Sequence, residues 1–141
     1  MATQSQRNDA EMIPYNDPGI QHDHWLIRRI PADWIVEDEK IGGRRISSMA
    51  FKSSRGEISV DLQNKIEQAG LNAAQYVITQ RWIGAIRFQA GQVRDLGFQV
   101  GADPTPDNPY HGQVWGVFTS ARQKKIRELA EWFVSINNVF I

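Results

Sequence analysis

Three prolines fall within seven residues in Asp103-Pro104-Thr105-Pro106-Asp107-Asn108-Pro109. Each proline lacks a backbone N–H, so neither a helix nor a central strand runs through this segment. The segment is a loop, and the chain on its two sides has to close into one core across it. Before it, residues 24–30 alternate, with Trp25 and Ile27 on one face and Leu26 and Ile30 on the other. Apolar groups on both faces indicate a central strand, stopped by Pro31. Residues 32–40 suit a helical turn or a short extended piece equally well, and Gly42-Gly43 is a turn.

Residues 46–51 and 57–62 read as the two strands of a hairpin, with Ile58, Val60 and Leu62 sharing one face. Asp61 is placed to cap a short helix carrying Leu62, Ile66 and Ala69, which Gly70 ends. Residues 74–80 favour a strand through Tyr76, Val77 and Ile78, and residues 82–88 form another. A short helix with Ala90, Val93 and Leu96 stops at Gly97. Beyond the proline loop, residues 111–118 are a strand. Thr119 or Ser120 then caps a helix with Ile126, Leu129, Ala130 and Phe133 at helical spacing. The expected fold is α+β: a mixed or antiparallel sheet of about five strands, short helices, and a long C-terminal helix packed on the sheet. Residues 1–20 are expected to be a flexible arm and residues 21–141 one globular domain.

Composition narrows the function. Lysine plus arginine number 16, as do aspartate plus glutamate, so no long-range field recruits nucleic acid or an anionic membrane. Arg122, Lys124, Lys125 and Arg127 surround the last helix's apolar stripe as a solvated flank rather than forming a groove-reading face. Cysteine is absent, which excludes disulfides, thiolate metal sites and cysteine nucleophiles. No apolar run reaches the roughly 18 residues of a membrane span. The first residues lack the apolar core of a secretory signal, so the expected location is cytoplasmic.

Candidate chemistry concentrates in Arg44-Arg45-Ile46-Ser47-Ser48-Met49-Ala50-Phe51 and Ile58-Ser59-Val60-Asp61. Arginines at the mouth of a hairpin clamp phosphate or carboxylate through bidentate bonds, and serine hydroxyls complete such a site. The structural alternative has the serines bonding nearby backbone, Asp61 capping its helix, and the arginines pairing with Glu37, Asp38 or Glu39. His111, at the end of the rigid proline loop, suits acid–base work or a ligand hydrogen bond. Gly112 and Gly116 would make room for the C-terminal helix. His22 and His24 share a strand face, but without a matched carboxylate they do not make a metal site. The ligand-binding candidates are Arg28, Arg29, Arg45, Ser47, Ser48, Ser59, Asp61 and His111. They are expected to converge on a pocket bounded by Arg28 or Arg45, Ser48 and His111.

The ordered set Leu26-Ile27-Arg28-Arg29-Ile30-Pro31, Arg45-Ile46-Ser47-Ser48-Met49-Ala50-Phe51, Ser59-Val60-Asp61 and His111-Gly112-Gln113-Val114-Trp115-Gly116 resembles a group of small bacterial proteins without an established activity. The resemblance covers residues 26–134. It implies a cytoplasmic bacterial protein and carries over no reaction or cofactor. A more distant likeness is to ADP-ribosyltransferase-like toxin domains, which set an arginine on an early strand, a serine motif on a later one and a catalytic glutamate beyond. Arg28 or Arg29 and Ser47 or Ser48 would match the first two elements. Glu57 and Glu67 stand isolated, and Glu128 lies in the last helix. The leading expectation is a binding or accessory module for an anionic ligand or a protein partner. The alternative is a small nucleotide-directed transferase.

Overall fold

The computed structural model describes residues 12–141. In chain order its elements are β1 (Trp25–Pro31), β2 (Ile35–Asp38), β3 (Gly43–Ile46), β4 (Glu57–Leu62), α1 (Gln63–Gln68), α2 (Ala73–Val77), β5 (Trp82–Gln89) and α3 (Ala90–Asp95). They continue with β6 (Gln99–Ala102), β7 (His111–Trp115), α4 (Ser120–Leu129), β8 (Glu131–Val134) and β9 (Val139–Phe140). Six strands form an antiparallel sheet in the order β6-β7-β4-β1-β5-β8. A second sheet, β2-β3-β9, joins an antiparallel pair to a parallel one.

Strand alternation sorts the core. One face of the large sheet contributes Leu26, Ile30, Val60, Leu62, Ile86, Phe88 and Val114. These pack with Phe51, Val93, Phe98, Ile126 and Val139 from α3, α4, the small sheet and the connections. The opposite face contributes Ile27 and Ala85, covered by Ile66 of α1 and by Ala73 and Val77 of α2. The outer edge of β6 is covered rather than bare: Asp17 N–H donates to Val100 O at 2.9 Å, and Tyr15 Oη donates to Ala102 O at 2.8 Å. Covering an edge in this way blocks pairing with another chain. These two residues belong to the expected arm, whose first eleven residues lie outside the described ones. Among the described residues no helix is long and apolar enough to cross a membrane.

The expected long C-terminal helix does not exist. Thr119 caps α4, its side chain accepting from Arg122 N–H at 3.2 Å, but the helix is ten residues long and stops at Leu129. The extended Ala130 turns the chain into β8, which pairs with β5. The aromatic and β-branched run Trp132-Phe133-Val134 favours a strand, and the free edge of β5 supplies its partner. Phe133 therefore packs on the α1–α2 side of the sheet, whereas Ile126 enters the other core.

The expected hairpin fails for a related reason. Ser47 Oγ accepts from Met49 N–H at 3.2 Å and caps a 3-10 turn over Ser48–Phe51, so residues 48–51 leave the strand. β3 belongs to the small sheet instead, and β4 lies between β1 and β7. Residues 73–77 are a helix capped by the Asn72 side chain rather than a strand.

Candidate functional site

The large sheet opens at its centre. β1 pairs with β5 from Trp25 to Pro31, and β4 pairs with β7 from Glu57 to Asp61. Between β1 and β4, however, only Leu26↔Leu62 and Ile27↔Asp61 are in register. Beyond Ile27 the two strands part, and the strand carbonyls that lose ladder partners need another donor. Arg28 supplies it. Its Nη1–H donates to Ser59 O of β4 and its Nε–H to Ala50 O of the 3-10 turn, both at 3.0 Å. The guanidinium lies 5.0 Å over the Trp34 ring.

Where the strands part, a cavity of about 180 Å³ is lined by Arg28, Arg29, Ser59, Val60, Asp61, Trp82, Asn108 and His111. Antiparallel register explains the composition. Asp61 stands opposite both Ile27 and His111, so Arg29, Ser59, Asp61 and His111 emerge on one face. Arg28 alternates to the other face and reaches the same space through the gap. Desolvation pulls its pKa down to about 10, which leaves it cationic at neutral pH. Among the described residues no carboxylate pairs with it.

Arg29 is the opposite case. Its Nε–H and Nη2–H donate to the two oxygens of buried Asp61 at 2.7 and 3.0 Å, a bidentate pair. Asn108 Nδ2–H adds a third bond to Asp61 at 2.7 Å. Asn108 Oδ1 in turn accepts from Tyr76 Oη at 2.8 Å and Tyr110 N–H at 3.1 Å. The proline loop and α2 are thus tied to the sheet through one carboxylate. Burial, and then the Asp61 charge, push the Tyr76 hydroxyl above its ordinary pKa.

His111 opens β7. Its Nδ1 lies 2.7 Å from Asp103 O, and the Asp103 carboxylate lies 3.9 Å from the same nitrogen. A carbonyl only accepts, so Nδ1 carries the proton, and in the neutral ring Nε2 is the acceptor. The cavity therefore offers one uncompensated guanidinium, one acceptor nitrogen, a serine hydroxyl and the indole of Trp82.

Of the sequence candidates, the structure brings Arg28, Arg29, Ser59, Asp61 and His111 together. It sets the others apart. Arg45 Nε–H donates to Asp38 at 2.7 Å, in the small sheet, and that bond holds the Asp38 carboxyl below its usual range. Ser47 caps its turn. Ser48 lines a separate recess with Phe51, Lys124 and Arg127. Of the expected boundary, Arg28 and His111 line the cavity, whereas Ser48 and the alternative Arg45 do not, because no hairpin carries them to His111. Asp61 does not cap α1, whose N-cap position is Leu62 and has no side-chain cap; the carboxylate turns to Arg29 instead. Gly112 and Gly116 do not receive the C-terminal helix. The space at Gly112 is taken by Leu62 and the Gly101 carbonyl, and that at Gly116 by Phe98. His22 Nδ1 lies by Arg94, and His24 Nδ1 accepts from Gln21 N–H. Among the described residues no three His, Cys, Asp or Glu side chains gather as metal ligands.

Trp82 and Asn108 were not singled out by the sequence. Asn108 lies in the proline loop beside His111, and that proximity was the available signal. Comparison with protein-family models, curated proteins and solved structures finds no match to this chain.

Proposed function

We propose that this protein is a small-ligand-binding module whose cavity, at the parting of β1 and β4, holds an anionic group on Arg28. The observation that carries the reading is the state of that guanidinium. It is desolvated, fixed by two carbonyls, placed against a cavity and uncompensated by any carboxylate among the described residues. Arg29, its neighbour on β1, is by contrast neutralised by Asp61. The small volume favours a compact metabolite or the head group of a larger one. A cytoplasmic setting and a bacterial source, both implied by the resemblance, belong to the same proposal. The transferase alternative has less support: no glutamate lines the cavity, and Asp61, its one carboxylate, is held by Arg29 and Asn108.

Thermal unfolding with a panel of small carboxylates, inorganic phosphate and nucleoside monophosphates tests the reading. A ligand at 100 times its Kd stabilises by about 2.7 kcal/mol. At least one anion is expected to raise the Tm of the wild type and to leave Arg28→Met unmoved. A panel without effect on the wild type, or with equal effect on Arg28→Met, overturns the proposal.

A further inference from the structure

The donors and charges around the cavity narrow the ligand class. Resting on the anion-binding reading, we infer that the ligand is a monoanionic carboxylic acid with a hydroxyl or N–H donor near the carboxylate and a compact apolar body.

A guanidinium carries five N–H groups. In Arg28 the Nε–H and one Nη1–H are engaged by Ala50 O and Ser59 O. Three N–H groups remain, enough for one bidentate partner, and a planar carboxylate matches that fork. The charge count agrees. Arg29 and Asp61 cancel, which leaves Arg28 as the single uncompensated cation on the lining. One carboxylate neutralises it. A phosphomonoester dianion would leave an excess negative charge in a desolvated site, which is costly.

His111 supplies the second recognition element. With Nδ1–H held by Asp103 O, the neutral ring presents an acceptor, so its complement is a donor on the ligand. Val60 and the Trp82 indole line the remainder and suit an apolar or aromatic body. A volume of about 180 Å³ suits a small hydroxy acid.

The test is calorimetric titration of the wild-type protein with mandelate, phenylacetate and phenyl phosphate at pH 8. Mandelate is expected to bind about tenfold more tightly than phenylacetate, the equivalent of one hydrogen bond. Phenyl phosphate is expected to bind more weakly than either. His111→Phe, checked for native circular dichroism, should erase the mandelate preference while phenylacetate still binds. Phenyl phosphate binding most tightly at pH 8, and losing that binding in Arg28→Met, would overturn this inference and leave the anion-binding reading standing. Equal binding of mandelate and phenylacetate to the wild type would also overturn it. Absence of binding by all three would overturn this inference, and binding indifferent to Arg28→Met would overturn both.

Discussion

Replacing Asp61 with alanine should be the most damaging single change at the cavity. The carboxylate is 4% exposed and receives three charge-assisted bonds, two from Arg29 and one from Asn108. Breaking a buried pair by removing one partner costs about 3–5 kcal/mol, because the other charge stays behind. The Arg29 side chain is 19% exposed and regains some water, which places the loss near the lower bound, about 3 kcal/mol. For a chain of this size that lowers Tm by roughly 10 °C. Asn108→Ala removes the third bond and the Tyr76 and Tyr110 contacts with it, at a cost of about 2 kcal/mol. Because both changes break the same Asn108–Asp61 bond, Asp61→Ala/Asn108→Ala should fall short of additivity by about 1 kcal/mol. Arg29→Met/Asp61→Leu, which removes both charges, should be more stable than Asp61→Ala. Urea unfolding followed by circular dichroism measures all of these. A loss under about 1 kcal/mol for Asp61→Ala, with additive behaviour in the double variant, would refute the network.

Arg28→Met should behave differently from Asp61→Ala. Relief of the desolvation that lowers the Arg28 pKa offsets the two lost carbonyl bonds, so stability should stay within about 1 kcal/mol of the wild type by urea titration; a loss like that of Asp61→Ala would contradict this. Tyr76 has a raised folded pKa, so its stabilisation is complete below its ordinary value of 10.0 and is lost as pH climbs through the folded value. Tyr76→Phe should accordingly flatten the fall in stability above pH 10, and an unchanged alkaline slope would count against the assignment. In Gly112→Ala the new Cβ would lie 2.8 Å from Leu62 Cδ2 and 3.0 Å from the Gly101 carbonyl oxygen, so unfolding should show a loss of about 1–3 kcal/mol.

The sequence made the central strands legible because β1, β4, β5 and β7 carry visible apolar patterns, with β1 ending at Pro31, β4 starting after Gly56 and β7 stopping before Gly116. It hid β8, since Ile126, Leu129, Ala130 and Phe133 continue a helical period across the true helix end. Only the open edge of β5, a tertiary fact, decides that Trp132 and Phe133 extend. The serines misled for a local reason: Ser47 fits a strand or a cap, and the Met49 N–H it captures selects the cap. At the site, Arg28, Arg29, Asp61 and His111 were each visible as polar residues on apolar strands. Their convergence depends on the Asp61↔His111 register and on the parting of β1 from β4, which no short window of sequence encodes. Trp82 and Asn108 enter for the same reason, delivered by a strand start and a loop closed between Thr105 and Asn108.

Arg28 is proposed to be a ligand-binding cation rather than a structural one. Arginine side-chain NMR of the wild-type protein during titration with mandelate tests it most directly, because each Nε–Hε group reports separately. A saturable shift of the Arg28 Nε–Hε signal is expected, accompanied by the His111 ring, while Arg45 and Arg127 stay in place. An unmoved Arg28 signal, or saturable shifts confined to Arg127 and its neighbours on α4, would contradict it.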